Sequence, residues 1–93
     1  MLDSTMAHSL TQFGLGFYEL HKCTLQLGKR NFATAKISHH QLKKEMLLAK
    51  ALLRRSMDIL RNQPEDSPEG DLSNQCEEDF IAIGKYMMAV GLT

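Results

Sequence analysis

The middle of the chain decides the fold: residues 38–60 read SHHQLKKEMLLAKALLRRSMDIL. Ser38 followed three residues later by Gln41 matches the capping box that begins a helix. Apolar residues then recur at spacings of three and four, the period of one helical face, and four more widen that face. A helix that is apolar over so much of its surface normally packs against more than one neighbour. The first set is Leu42, Met46, Ala49, Leu53, Met57 and Leu60, and the second is Leu47, Leu48, Leu52 and Ile59.

Lysines and arginines fill the rest of this segment, although Glu45 and Asp58 interrupt them. A basic amphipathic helix can bind a membrane surface or serve as a calmodulin-type target. The whole chain, however, balances 11 Lys and Arg against 11 Asp and Glu, and it has no Trp. A solvated helix face is therefore the favoured interpretation, and we expect neither a nucleic acid nor a membrane as partner.

The N-terminal third predicts another helix, over about residues 4–28. Gly28 followed by Lys29 and Arg30 is typical of a helix C-terminus. Gly14 and Gly16 lie inside the pattern, where a glycine more often lets another backbone approach closely than performs chemistry. An apolar face of a helix normally packs on the core. The face predicted here consists of Met6, Leu10, Phe13, Phe17, Leu20 and Leu27.

Residues 62–70, Asn-Gln-Pro-Glu-Asp-Ser-Pro-Glu-Gly, form the clearest boundary in the chain. Pro64 disfavours helical geometry at the residue before it, so the central helix is predicted over about 39–62. Ser67, Pro68 and Glu69 fit the N-cap and the first two positions of a third helix, because a serine oxygen accepts orphan amides and proline presets φ.

This third helix is predicted over about residues 68–90, with Gly91 at its end. Phe80 is expected at the centre of its apolar face. Alternation of period two, the signature of a strand, continues nowhere for long. The sequence therefore predicts an all-α fold of three antiparallel helices in one domain over residues 1–93. The apolar face of the third helix consists of Leu72, Cys76, Phe80, Ile83, Met87 and Val90.

Cys23 and Cys76 are too few for the disulfide framework of a small secreted domain, so both are expected to be free thiols, with Cys76 in the core. The N-terminus lacks the pattern of a signal peptide. No stretch approaches the roughly 18 consecutive apolar residues of a membrane span. An intracellular location, in the cytoplasm or the nucleus, is the expectation.

Residues that could carry chemistry are few and poorly placed. A structural zinc site needs four ligands, usually in close pairs from a turn or at i, i+4 on a helix. His21 and Cys23 are two residues apart on a predicted helix and point in different directions, and His39 and His40 are adjacent. We expect surface histidines, no metal, no cofactor and no catalytic residue in this chain.

Two stretches taken together resemble a known family over roughly residues 10–78. Their order, with about forty residues of helix between them, is similar to the C-terminal region of SET-and-MYND-domain proteins, particularly the divergent arthropod group. The Ser-Pro-Glu-Gly element alone is a weak helix start, and its pairing with Tyr-Glu-Leu-His raises its specificity. The residues that carry the resemblance are Gly14, Tyr18, Glu19, Leu20 and His21 in the first stretch and Ser67, Pro68, Glu69 and Gly70 in the second.

The resemblance implies a C-terminal helical region similar to tetratricopeptide repeats. In such proteins a SET domain binds S-adenosylmethionine for lysine methylation, and a MYND finger and a post-SET segment bind zinc. The chain contains neither the Asn-His cofactor motif nor the clustered cysteines of those parts. What the resemblance implies is thus a helical module, which in the family packs against a catalytic lobe and contacts protein partners. The chain is then a fragment of a larger protein, a truncated gene model or a degenerate relative.

Two functions follow as expectations. The first is a non-catalytic interaction and scaffold module, related to the C-terminal region of a methyltransferase. The alternative is a free-standing helical adaptor that binds a peptide or a partner helix. In either case the broad apolar faces exceed what three helices cover, so self-association is a further expectation.

Overall fold

The computed structural model describes the backbone of residues 4–62 and 68–92, which contains three helices. Side-chain surroundings are described for residues 9–62 and 72–92. They are α1 (Ser4–Ala33), α2 (His39–Leu60) and α3 (Pro68–Ala89). Within these two ranges there is no strand. The prediction of an all-α helical bundle is confirmed.

Helix α2 lies at the centre of the bundle and packs against both other helices. Its start lies beside the end of α1, because Gly28 is next to Met46, and its end lies beside Gly14, which is next to Leu60. Ser56 near its end also meets Cys76 near the start of α3. Both neighbours therefore run antiparallel to α2, and α1 and α3 run parallel to each other.

The start of α2 is formed as predicted. The Ser38 hydroxyl accepts the Gln41 amide, and the Gln41 side chain accepts the Ser38 amide in return. The first apolar set predicted for α2 is buried except for Met57, which is half-buried. In the second set, Leu47 and Leu48 are exposed. The buried members of the stripe are Leu42, Met46, Ala49, Leu53 and Leu60.

The predicted end of α1 at Gly28 is wrong, since the helix continues to Ala33. Gly28 is buried in the helix, and a Cβ there would lie 2.9 Å from Cε of Met46. The helix ends instead with Ala35 at φ 57° and a backbone bond from Lys36 to the Asn31 carbonyl. This pattern is a Schellman ending with an alanine in the left-handed position that glycine usually takes.

The predicted core face of α1 is also wrong. Phe13 is 63% exposed, Leu20 51% and Leu27 53%, and Leu10 is exposed as well. Phe17 is half-buried, and the side chain of Met6 lies outside the described residues. The buried face of α1 lies about a quarter turn away and carries small or polar residues. Large side chains of α2 fill the space beside these small residues, so the bulky stripe of α1 is not needed for the internal packing. The buried residues of that face are Thr11, Gly14, His21 and Gly28.

Helix α3 begins at Pro68 as predicted, whereas the cap assigned to Ser67 and the side chain of Glu69 lie outside the described residues. Its end is confirmed: Gly91 has φ 77°, and Leu92 bonds to the carbonyl of Met87 in a Schellman motif. Leu92 is itself buried, which is the hydrophobic contact that accompanies this motif.

Phe80 is not the central core residue of α3. Its ring is half-buried, with the Lys50 ammonium 4.8 Å and the Arg54 guanidinium 5.7 Å from its centroid. Phe80 therefore lies at the rim of the α2·α3 contact, beneath two cations of α2. The buried residues of α3 are Cys76, Ile83 and Met87.

The two glycines in the first half of α1 give a matched test of this packing. A Cβ at Gly14 would lie 2.8 Å from Cδ2 and 2.9 Å from Cγ of Leu60, whereas one at Gly16 would meet nothing within 4 Å. We expect Gly14→Ala to lower the free energy of unfolding by about 1–3 kcal/mol through overpacking. Gly16→Ala should raise it by about 0.5–1 kcal/mol through better helix propensity.

Urea unfolding of dilute samples, followed by circular dichroism, measures both changes. Equal effects of the two substitutions would contradict the close approach of α1 and α2 at Gly14.

Candidate functional site

The Tyr18-Glu19-Leu20-His21 motif divides between two faces of α1. Tyr18 and His21 lie on the side of the other helices, and His21 is only 1% exposed. Glu19 and Leu20 face outward, and the Glu19 carboxylate lies 3.5 Å from the ammonium of Lys22 in an exposed pair. The structure therefore separates the motif into a buried polar pair and part of an exposed surface.

The Tyr18 hydroxyl links α1 to α3. It donates to Oδ2 of Asp79 over 2.7 Å. Oδ1 of the same carboxylate accepts from the side-chain amide of Gln75 over 2.9 Å. Burial, followed by the hydrogen bond and the negative charge of Asp79, raises the pKa of Tyr18 well above its ordinary value. The hydroxyl therefore stays protonated and keeps its role as a donor.

His21 lies beside this link, with its ring edge against the Tyr18 ring at 4.8 Å between centroids. Its Nδ1 donates to the backbone carbonyl of Tyr18. Burial lowers the pKa of His21 below its ordinary value, although the carbonyl and Asp79 act in the opposite direction. The expectation of surface histidines is thus wrong at His21, because the small residues on either side of it bring this face of α1 close to α2.

A hydroxyl and a thiol lie at the buried contact of all three helices. The Ser56 hydroxyl donates to the Gly14 carbonyl over 2.7 Å, and its oxygen lies 3.9 Å from Sγ of Cys76. Burial raises the pKa of the Cys76 thiol, so this thiol stays protonated and is a poor nucleophile. Both cysteines are free, with Cys76 buried as predicted and Cys23 exposed.

The described residues contain no group of three or more His, Cys, Asp or Glu side chains that could hold a metal ion. His39 instead bonds through Nε2 to the Val90 carbonyl over 3.2 Å and packs its ring edge against Phe32. His40 is exposed. In the described part of the chain, every buried side-chain nitrogen or oxygen has a hydrogen-bond partner.

The outward face of α1 carries a row of exposed or half-buried apolar side chains. We call it the α1 seam, and it consists of Leu10, Phe13, Phe17, Leu20 and Leu27. A depression of about 470 Å³ lies along its N-terminal half, beside Gly16. Contiguous apolar surface of this kind marks an interaction site more often than a solvated face.

The apolar surface continues from the α1 seam onto α2. Leu27 and Glu45 line one depression between the two helices, so the face of α2 that carries Glu45 borders the seam. Leu48, Leu52 and Ile59 lie three, seven and fourteen residues after Glu45 and share that face. Leu48 is exposed and the other two are half-buried, which gives the two helices a shared apolar groove.

Comparisons with family profiles, curated proteins and solved structures gave no match. The resemblance to the C-terminal region of SET-and-MYND proteins therefore stays a prediction. Of its residues, Gly14, Tyr18 and His21 take part in the packing of α1, and Ser67 lies outside the described residues. No helix in the described ranges has the length and apolar character needed to cross a membrane.

The bulky apolar stripe of α1 predicts the wrong packing face, so the sequence analysis does not predict the buried pair of Tyr18 and His21. A signal was nevertheless present in the sequence. Gly14, His21 and Gly28 are spaced by seven residues, so they share one face of a helix. Small residues at this spacing indicate a close helix contact, and a histidine between them is then expected to be buried.

His21 should make stability depend on pH. Its pKa is lower in the folded chain than its ordinary value of 6.5, so below pH 6.5 the unfolded chain binds a proton that the folded chain does not. Stability is therefore highest above pH 6.5 and falls as the pH drops toward the folded pKa. We expect His21→Gln to reduce the loss of stability between about pH 7.5 and pH 5.5.

The measurement is urea unfolding at several pH values, with His40→Gln as the matched control because His40 is exposed. The control should keep the pH dependence of the wild type. If both variants flatten the profile equally, the assigned burial of His21 is wrong.

Proposed function

We propose that this chain is a non-catalytic helical interaction module that binds a protein partner through the α1 seam. The observation that carries this proposal is that two different faces of α1 pack inside the chain and face the solvent. The face that carries Gly14, His21 and Gly28 packs within the chain, and most of the bulky stripe beside it is exposed.

Exposed apolar side chains of this size leave a large stabilisation unused unless another molecule covers them. Burying a Leu or Phe side chain contributes about 1.5–3 kcal/mol relative to leaving it in water. Internal packing already uses Gly14 and Gly28, so nothing in the described fold requires apolar residues a quarter turn away. Aromatic side chains such as Phe13 and Phe17 are enriched in protein interfaces relative to the rest of the surface.

The buried polar groups support a non-catalytic role. A catalytic acid, base or nucleophile must reach its substrate and exchange a proton near the working pH. Tyr18 is held protonated by burial and Asp79, Cys76 is buried with a raised pKa, and His21 is 1% exposed. These groups join helices to one another and are unsuited to proton transfer with a substrate.

The proposal is compatible with both expectations drawn from the sequence. In a protein of the SET-and-MYND type, a catalytic lobe elsewhere in the protein would cover such a seam. In a free-standing adaptor, a partner helix would lie in the groove between α1 and α2. Both cases use the same seam residues and need no cofactor bound to this chain.

The first test is whether the seam is open to solvent in dilute samples. We expect the chain to enhance the fluorescence of anilinonaphthalene sulfonate, a probe of exposed apolar surface. The variant Phe13→Gln/Leu20→Gln should lose most of this enhancement, because it places amides on the seam. Its thermal midpoint should stay close to that of the wild type, since both side chains are exposed.

The control is Leu47→Gln/Ile81→Gln, which changes exposed residues of α2 and α3. Leu47 lies on the opposite side of α2 from the groove and is 48% exposed, close to the 51% of Leu20. This control should keep the dye response. If the seam variant responds like the wild type, the probe binds elsewhere and the proposed docking face is wrong.

A second prediction concerns the cofactor of the resembled methyltransferases. We expect calorimetric titration of the chain with S-adenosylmethionine to give no saturable heat, because this sequence has no Asn-His motif of the SET type. Saturable binding at micromolar concentration would contradict a non-catalytic role.

A further inference from the structure

We infer that the partner of the α1 seam is a second copy of this chain, with the two α1 helices packed antiparallel along their seams. The inference rests on the proposed function and names its partner. In this dimer the grooves between α1 and α2 of both copies face each other, so that four helices enclose a common apolar core.

The spacing of the seam is that of a two-helix contact. Leu10, Phe13, Phe17, Leu20 and Leu27 follow alternating steps of three and four, with Thr24 as the one polar position in the series. This 3.5-residue period keeps a narrow stripe aligned with one partner helix over several turns. The seam remains regular over the 18 residues from Leu10 to Leu27, about 26 Å of helix.

The series is also complementary to itself in the antiparallel direction. In an antiparallel coiled coil, the a positions of one helix lie opposite the d positions of the other helix. Leu10 then lies opposite Leu27 of the second copy, Phe17 opposite Leu20, and Phe13 opposite Thr24. Every seam residue finds a partner in this register, and the two-fold axis passes between Tyr18 and Glu19.

Charge favours the antiparallel direction over the parallel one. Residues 4–18 contain no Asp, Glu, Lys or Arg, whereas the second half of α1 carries Glu19, Lys22, Lys29 and Arg30. A parallel pair would bring the cationic ends together, where like charges repel. An antiparallel pair places each cationic end beside the uncharged half of the other copy.

Gly16 gives a separate reason for a close partner. It costs helix stability relative to alanine, and a Cβ at this position would meet nothing within 4 Å in its own chain. Gly16 borders the seam, and Ser9 and Cys23 lie seven residues to either side of it on the same edge. This edge of small residues would let a second helix approach closely without steric conflict.

The chain exposes more surface than a compact monomer of its mass. The chain exposes 6262 Å². A compact monomer of 10.5 kDa is expected to expose about 5,400 Å². The excess of roughly 800 Å² is close to the area that each partner contributes to a stable interface.

The test is the mass of the full chain by sedimentation equilibrium across a concentration series. We expect twice the chain mass of 10.5 kDa at tens of micromolar. Phe13→Gln/Leu20→Gln should weaken self-association by at least about a hundredfold, since four buried contacts change in the dimer. Leu47→Gln/Ile81→Gln should leave it unchanged. A monomeric wild type, or a seam variant that still dimerises, overturns the inference.

Cysteine pairs test the direction. In a Cys23→Ser background, a mixture of Leu10→Cys and Leu27→Cys chains should form a disulfide between the two variants on mild oxidation, and neither variant alone should crosslink. In the antiparallel register, positions 10 of the two copies lie about 25 Å apart, too far for a disulfide. Crosslinking of each variant with itself would overturn the antiparallel arrangement.

The dye experiment separates failure of this inference from failure of the proposed function. A monomer whose seam still enhances the dye would exclude a second copy and leave the docking face for a different protein. A monomer with no seam-dependent dye response would overturn both.

Discussion

The close approach of α1 to α2 at Gly14 and Gly28 determines the arrangement of the other parts of the molecule. A Cβ at either position would lie within 3 Å of an α2 side chain, Leu60 or Met46 respectively. These contacts fix the rotation of α1 about its own axis, because only a face without bulky side chains can approach so closely. That rotation carries Tyr18 toward α3, buries His21 and turns the α1 seam to solvent.

The polar contacts then hold α1 and α3 in place on the two sides of α2. The bond from Tyr18 to Asp79 and the bond from Ser56 to the Gly14 carbonyl join different helices at the same level of the bundle. Further along, the Lys29 ammonium lies 4.5 Å from the centroid of the Tyr86 ring. No buried side-chain nitrogen or oxygen in the described residues is unpaired, so these contacts avoid the cost of an unsatisfied polar group.

The features that the sequence predicts well are those set by local chemistry. The capping box at Ser38, the glycine ending at Gly91 and the burial of Cys76 each depend on neighbouring residues or on one apolar stripe. The predicted end of α1 is wrong because Gly28, followed by two basic residues, matches the usual C-terminal end of a helix. A glycine can end a helix or make room for a neighbouring helix, and only the position of Met46 in space distinguishes the two cases.

The choice of face on α1 was harder to predict for a more general reason. Periodicity identifies an apolar face but not the molecule against which it packs. On α1 the strongest stripe lies mostly outside the internal core, and the fully buried positions are glycine, threonine and histidine, whose apolar signal is weak.

A narrow seam with a 3.5-residue period, beside a second face of spaced small residues, is the pattern expected of a helix with two neighbours. Within the chain α1 packs mainly against α2, and in the proposed dimer its second neighbour is the α1 helix of the other copy. Stability of the chain is then coupled to that partner, because any molecule that binds only the folded state adds its binding free energy to folding. A chain of 93 residues has a small core of its own, and burial of the α1 seam would enlarge that core without lengthening the chain.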